Sequence, residues 1–188
     1  MYVELVSIID RSGSMSSIRD DAIGGFNTFL KEQKEVPGDA KLTLVLFDHE
    51  YQVVHDAVNL QGVPELTADA YVPRGSTALY DAIGRTIDAI GTRLARSDVK
   101  PSKVIVAILT DGAENSSKEY TRERVAEMIK HQEEKYSWEF IFLAANQDAF
   151  QTGAMLNIKA CNTANFAADK AGVATAYSLI SSTTRAYR

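Results

Sequence analysis

The sequence holds a single cysteine, Cys161, in 188 residues. One cysteine cannot form an intramolecular disulfide, so a disulfide-stapled scaffold is excluded and a reducing compartment is the natural expectation. A lone thiol of this kind is expected to be buried as a small hydrophobe. Histidine is equally scarce: His49, His55 and His131 lie far apart without ligand spacing, which excludes a zinc site built from His and Cys. Long apolar runs are missing too. The longest, such as Val104 to Leu109, fall far short of the roughly 20 residues that span a bilayer. The opening residues Met1-Tyr2-Val3-Glu4 lack the basic stretch, apolar segment and small-residue cleavage site of a signal peptide, so a cytoplasmic location and no membrane partner are expected. Positive charge is in deficit, with 20 Lys and Arg against 25 Asp and Glu and a net charge of −5. No basic cluster offsets that deficit, which argues against nucleic acid as a partner.

What is present is ordinary globular composition, 45% hydrophobic and 24% charged. No repeat, low-complexity tract or Pro/Ser-rich linker divides the chain, so one domain over 1–188 is expected. Val3 to Ile9 reads as a short apolar strand ending in the turn-rich Asp10-Arg11-Ser12-Gly13-Ser14. Ser17 and Asp20 have capping-box spacing for a helix carrying Ile18, Ala22, Phe26, Phe29 and Leu30 on one face. Leu42 to Phe47 is a second strand, and the tight Asp48-His49-Glu50 turn returns the chain through Tyr51 to Val58. A connection that short forces this third strand to run antiparallel, at an edge. After a long irregular stretch from Asn59 to Ser76, residues Leu79, Ile83, Ile87, Ile90 and Leu94 form one stripe of a helix. Val104 to Leu109 is continuously apolar, as a strand buried on both faces would be, and ends in Thr110-Asp111-Gly112. A helix over Thr121 to Glu134 follows, then a strand from Trp138 to Ala144. A short helix from about Gln147 to Met155 comes next. A weak strand over Asn157 to Ala160 and a helix from Thr163 onward complete the chain. Alternating strands and helices predict a doubly wound α/β domain with a mostly parallel six-stranded sheet and helices on both faces.

In such a sheet, ligands bind beyond the carboxyl ends of the strands where strand order reverses. Under a 3-2-1-4-5-6 order, Asp10 and Asp111 face each other there, and the loop Gly75-Ser76-Thr77 reaches the same edge. Two carboxylates with several hydroxyls, and no His or Cys, suit a hard cation held by oxygen: Mg²⁺, with Mn²⁺ or Ca²⁺ as alternatives. Turn chemistry alone also places Asp, Ser and Gly at strand ends, so each residue taken singly has a structural explanation.

Three elements together carry a resemblance. Asp10-Arg11-Ser12-Gly13-Ser14 matches the Asp-x-Ser-x-Ser motif of the von Willebrand factor A family, and Thr77 before a helix and Asp111 in Thr-Asp-Gly match its other two metal loops. The chain resembles that family over nearly its whole length. The resemblance implies a metal-ion-dependent adhesion site in which Ser12, Ser14 and Thr77 coordinate through hydroxyls, and Asp10 and Asp111 bind directly or through water. It implies a protein partner that supplies an Asp or Glu to the ion, and a likeness to free-standing intracellular bacterial or phage adaptors.

Around this set, Arg11 and Arg74 are candidates to flank the incoming carboxylate, and Glu114 and Asn115 to steady the third loop. Asp81 and Asp148 read as acidic charges early in helices. Enzymatic alternatives lack their parts. A phosphatase-type Asp-x-Asp is broken by Ser12, Ser14 has no nucleophile-elbow glycines, and no phosphate-cradling Gly-rich loop follows a strand. The expectation is a binding domain without catalysis. The alternatives are a metal-dependent phosphoester hydrolase or a metal-independent scaffold.

Overall fold

In the computed structural model, which describes residues 2–188, six strands and five α-helices are joined by loops and three short 3-10 turns. The strands are β1 (Val3–Asp10), β2 (Ala40–Phe47), β3 (Tyr51–Asn59), β4 (Lys103–Thr110), β5 (Glu139–Ala144) and β6 (Thr163–Asn165). The helices are α1 (Arg19–Glu35), α2 (Leu79–Arg96), α3 (Arg122–Tyr136), α4 (Ala149–Met155) and α5 (Lys170–Tyr187). One six-stranded sheet runs in the order β3-β2-β1-β4-β5-β6. All pairings are parallel except β2 with β3, where the three-residue turn at Asp48–Glu50 makes the edge strand antiparallel, as expected.

The apolar strand residues alternate between two cores. Leu5, Leu44, Ala107 and Ile141 face α1 and α5, which contribute Phe26, Phe29, Val173 and Ile180. Val6, Val45, Val106 and Phe140 face α2 and α3, which contribute Ile83, Ile87, Val125 and Ile129. Burial on both sides is why β4 reads as a continuous apolar run and why β1 and β2 are apolar on both faces, with few polar interruptions. Two glycines fix how closely helices approach. A Cβ on Gly25 of α1 would stand 2.2 Å from the Tyr177 ring of α5, and one on Gly84 of α2 would stand 2.3 Å from Tyr120.

Four local expectations are corrected. Ser17 and Asp20 form no capping box, because residues 13–18 already coil as a 3-10 turn that runs straight into α1. Residues 157–160 form no strand. Asn157 turns through the left-handed region at φ 62°, and its side chain donates to the Ala126 carbonyl (3.0 Å). The sixth strand is instead Thr163–Asn165 beside β5, and the last helix waits until Asp169 caps it by accepting from the Gly172 amide (2.7 Å). Cys161 lies exposed after the Asn157 turn and is not the buried thiol expected. No helix among the described residues is long and apolar enough to cross a membrane.

Candidate metal centre

Strand order reverses between β1 and β4, whose neighbours in sequence lie on opposite sides of them in the sheet. The crossover chains leave in opposite directions there and open a crevice at the carboxyl ends. Asp10 is the last residue of β1, and Asp111 follows the last residue of β4. Both are buried, at 0% and 2% exposure. Two segments about a hundred residues apart are thereby joined. The Ser14 hydroxyl donates to Asp111 Oδ1 (2.7 Å), and the Thr110 hydroxyl donates to Asp10 Oδ2 (2.6 Å). The Ser12 amide donates to Asp10 Oδ1 (2.6 Å), turning the loop so that the Ser12 and Ser14 hydroxyls lie 3.2 Å apart.

The second loop arrives from the other side. The Gly13 amide donates to the Gly75 carbonyl (3.0 Å), with Gly75 in the left-handed region at φ 65° beneath the His49 ring. Thr77 is buried, and its main chain is bracketed by Asn115: the Thr77 amide donates to Asn115 Oδ1 (2.8 Å) and the Asn115 amide to the Thr77 carbonyl (3.0 Å). Its hydroxyl makes no side-chain hydrogen bond among the described residues. It points at Gly112, where the site of a missing Cβ lies 4.0 Å from Thr77 Oγ1 and 3.7 Å from Ser14 Oγ. Asp10, Ser12, Ser14 and Asp111 are thus one hydrogen-bonded set, and Thr77 stands across Gly112 from Ser14.

The electrostatics of this set are unusual. Burial pushes the Asp10 carboxyl up to about 6, against the hydrogen bonds from Thr110 and Ser12, and the nearby Asp111 charge adds to the rise. Burial also raises Asp111, opposed by the Ser14 hydroxyl. No cationic side chain among the described residues pairs with either. Arg11, adjacent to Asp10 in sequence, instead donates through Nε to Asp48 Oδ2 (3.1 Å), and Arg74 donates to the same oxygen (2.9 Å). Asp48 is fully buried, and Arg74 also pairs with Glu50. The two arginines expected to flank a partner's carboxylate therefore already have acidic partners in the β2–β3 turn.

The remaining polar residues build the walls. Glu114 accepts from the amides of Tyr80, Ser116 and Ser117, fastening the third loop to the start of α2. Asp81 is not a free helix-end charge. It accepts from the amides of Lys118, Glu119 and Tyr120 and holds the segment that leads into α3. Asp148 caps α4 through the Gln151 amide (3.0 Å). Two contributors escape a reading of the sequence. Thr110 reads only as the first residue of the Thr-Asp-Gly turn, with no sign that its hydroxyl serves Asp10, and Tyr71, whose hydroxyl donates to the Asp10 carbonyl, lies in a stretch without periodicity. The signal available for Tyr71 is a large aromatic inside an otherwise polar loop.

The donor set fits a hard divalent cation: two carboxylates without a counter-charge among the described residues, three hydroxyls, and a glycine that leaves the space between the Ser14 and Thr77 hydroxyls free of a side chain. Among the described residues no three His, Cys, Asp or Glu gather to hold a metal, so any ion here depends on the hydroxyls.

Sequence comparison finds no family model and no curated protein that matches this chain. Comparison of structures does. Proximal thread matrix protein 1 from the mussel byssus, with a zinc-occupied MIDAS motif, aligns over 98% of this chain at a TM-score of 0.67 and 12% identity. A von Willebrand factor type A protein from Catenulispora acidiphila aligns over 97% at 0.63 and 16% identity. The fold is the von Willebrand factor type A fold. The manganese-loaded TRAP protein of Plasmodium vivax shares it over 93% of this chain, at a TM-score of 0.61 and 15% identity. This chain spans 46%, 42% and 71% of those three structures respectively, less than half of the mussel and Catenulispora proteins.

Proposed function

We propose that this chain is a protein-binding module that works through one divalent cation, Mg²⁺ by preference, and does not catalyse a reaction. Asp10, Ser12, Ser14, Thr77 and Asp111 are its ligands, the carboxylates directly or through water. The observation that carries this reading is the pair of buried carboxylates left without a cation while Arg11, next to one of them, is committed to Asp48. A buried charge normally has a counter-charge, and the described residues provide none here. When bound, the ion supplies a positive charge with coordination positions open to an outside oxygen, because Mg²⁺ retains waters readily. An open position on a hard cation favours an anionic oxygen, so the partner's ligand is taken to be the carboxylate of an Asp or Glu. The metal-loaded and metal-occupied structures of the same fold support the cation. Absence of a nucleophile elbow and of a phosphate-cradling loop supports a role in binding; the resemblance stated from the sequence is what suggests a cytoplasmic adaptor of the bacterial or phage kind.

The test uses the immobilised chain and a set of peptides that differ only in carrying Glu or Gln at one position. Glu peptides should be retained in Mg²⁺ and released by EDTA. Gln peptides should pass through, and Thr77→Ala should lose retention while staying folded. Retention that survives EDTA undiminished would put the interface elsewhere on the molecule.

A further inference from the structure

The third loop is held from the far side by two side chains that belong to none of the three metal loops. The β4–β5 ladder ends at the Thr110–Ala144 pair, with one further bond from the Ala145 amide to the Thr110 carbonyl (3.0 Å). Beyond it the chains part, and the carbonyls of Asp111 and Gly112 have no main-chain partner in the sheet. Asn146 Nδ2 donates to the Asp111 carbonyl (2.9 Å), and Gln147 Nε2 donates to the Gly112 carbonyl (2.8 Å). A carbonyl only accepts, so both amides must turn their nitrogens to the loop. On its other side the Gln147 amide oxygen accepts from the Thr152 hydroxyl of α4 (3.2 Å), which fixes its orientation. Asn146 holds φ 56°, a left-handed conformation that Asn tolerates and most residues resist.

The Gln147 bond has a consequence at Asp10. The Thr110 hydroxyl has one proton and two acceptors in reach: Asp10 Oδ2 at 2.6 Å and the Gly112 carbonyl at 3.0 Å. With Gln147 supplying the Gly112 carbonyl, that proton is free to serve Asp10.

Resting on the reading of this crevice as a metal centre, we propose that Asn146 and Gln147 are positioning residues for the metal: they pin the Asp111–Gly112 main chain from the β5–α4 loop, and Gln147 reserves the Thr110 hydroxyl for Asp10. Neither touches the ion. They set the separation of the two carboxylates that hold it, directly or through water.

The experiment titrates Mn²⁺ alone into metal-stripped parent, Asn146→Gly and Gln147→Ala, followed by calorimetry and by the Mn²⁺ electron paramagnetic resonance spectrum. Glycine keeps the left-handed backbone at 146 and removes only the amide. Each variant should bind Mn²⁺ roughly tenfold more weakly, the lower end of what orienting partners of metal ligands contribute, with an altered spectrum. In metal-free protein, amide hydrogen exchange over residues 111–115 should be faster in the variants and unchanged in β1, β2 and β4. If the parent binds Mn²⁺ and both folded variants match it in affinity and spectrum, the positioning role is overturned and the metal reading stands. A parent that takes up no Mn²⁺ overturns both.

Discussion

Asp10 is the residue on which the site's energetics turn. It is fully buried, accepts hydrogen bonds at both oxygens, and has no cationic partner among the described residues. Its carboxyl titrates at about 6 in the folded protein against 3.8 as the ordinary value, with burial the main cause. A folded-state value above the unfolded one means that the folded chain holds the proton more tightly. Asp10 therefore costs no stability below about pH 4, costs progressively more as pH rises towards 6, and reaches a plateau above it. Holding the proton that much more tightly makes the full cost of ionising Asp10 roughly 3 kcal/mol. Asn at position 10 carries no charge, and Thr110 can then donate to the Gly112 carbonyl instead. Urea denaturation in EDTA at pH 4.5 and pH 7 should thus show the parent losing more stability than Asp10→Asn over that interval. Equal losses would mean that Asp10 is ionised at no cost and needs no counter-ion. From sequence, Asp10 and Asp111 are legible as strand-end carboxylates, whereas Ser12, Ser14 and Thr77 are singled out only by the resemblance to the three-part von Willebrand factor A motif. Arg11 and Arg74 are misread because their partner, Asp48, is brought to them by the β2–β3 turn rather than by sequence proximity.

At the scale of elements, the helices show why some of the fold is readable and some is not. The stripe on α2 predicts its burial because Leu79, Ile83, Ile87, Ile90 and Leu94 all face one core. Periodicity cannot explain Gly24-Gly25 inside α1, because the cause is in α5. Gly25 lies under the Tyr177 ring, whereas a Cβ on Gly24 would meet nothing within 4 Å. The two adjacent glycines should therefore respond oppositely to alanine. Gly24→Ala should stabilise by up to about 1 kcal/mol through helix propensity. Gly25→Ala should destabilise by roughly 1–3 kcal/mol, as overpacking does, because the ring must move. Denaturant midpoints of the two variants measure this directly, and a shared sign would contradict the packing of α1 on α5. The C-terminal third is the least legible. Three-residue β6 is too short for a pattern, and its place is fixed by pairing with Phe142 to Ala144, not by its own sequence.

For the whole molecule, the sheet order brings three loops to one edge. Ser14 and Asp111 are 97 positions apart, and Thr110 and Asp10 are 100. No local segment can form the centre alone, so site and fold are thermodynamically linked: whatever binds the assembled site stabilises the whole domain. That linkage makes stability a readout of whether Asp10 and Asp111 jointly hold one divalent cation. The measurement is the thermal unfolding midpoint of the parent and of Asp111→Asn, each with EDTA and with excess Mg²⁺. With EDTA, Asp111→Asn should melt no lower than the parent, since it removes one of two like charges raised by burial. With Mg²⁺ at 100 times its dissociation constant the parent should gain about 2.7 kcal/mol, and the variant much less, so the ranking reverses. Equal gains in both proteins, or none in the well-folded parent, would contradict the assignment of this crevice as a metal centre.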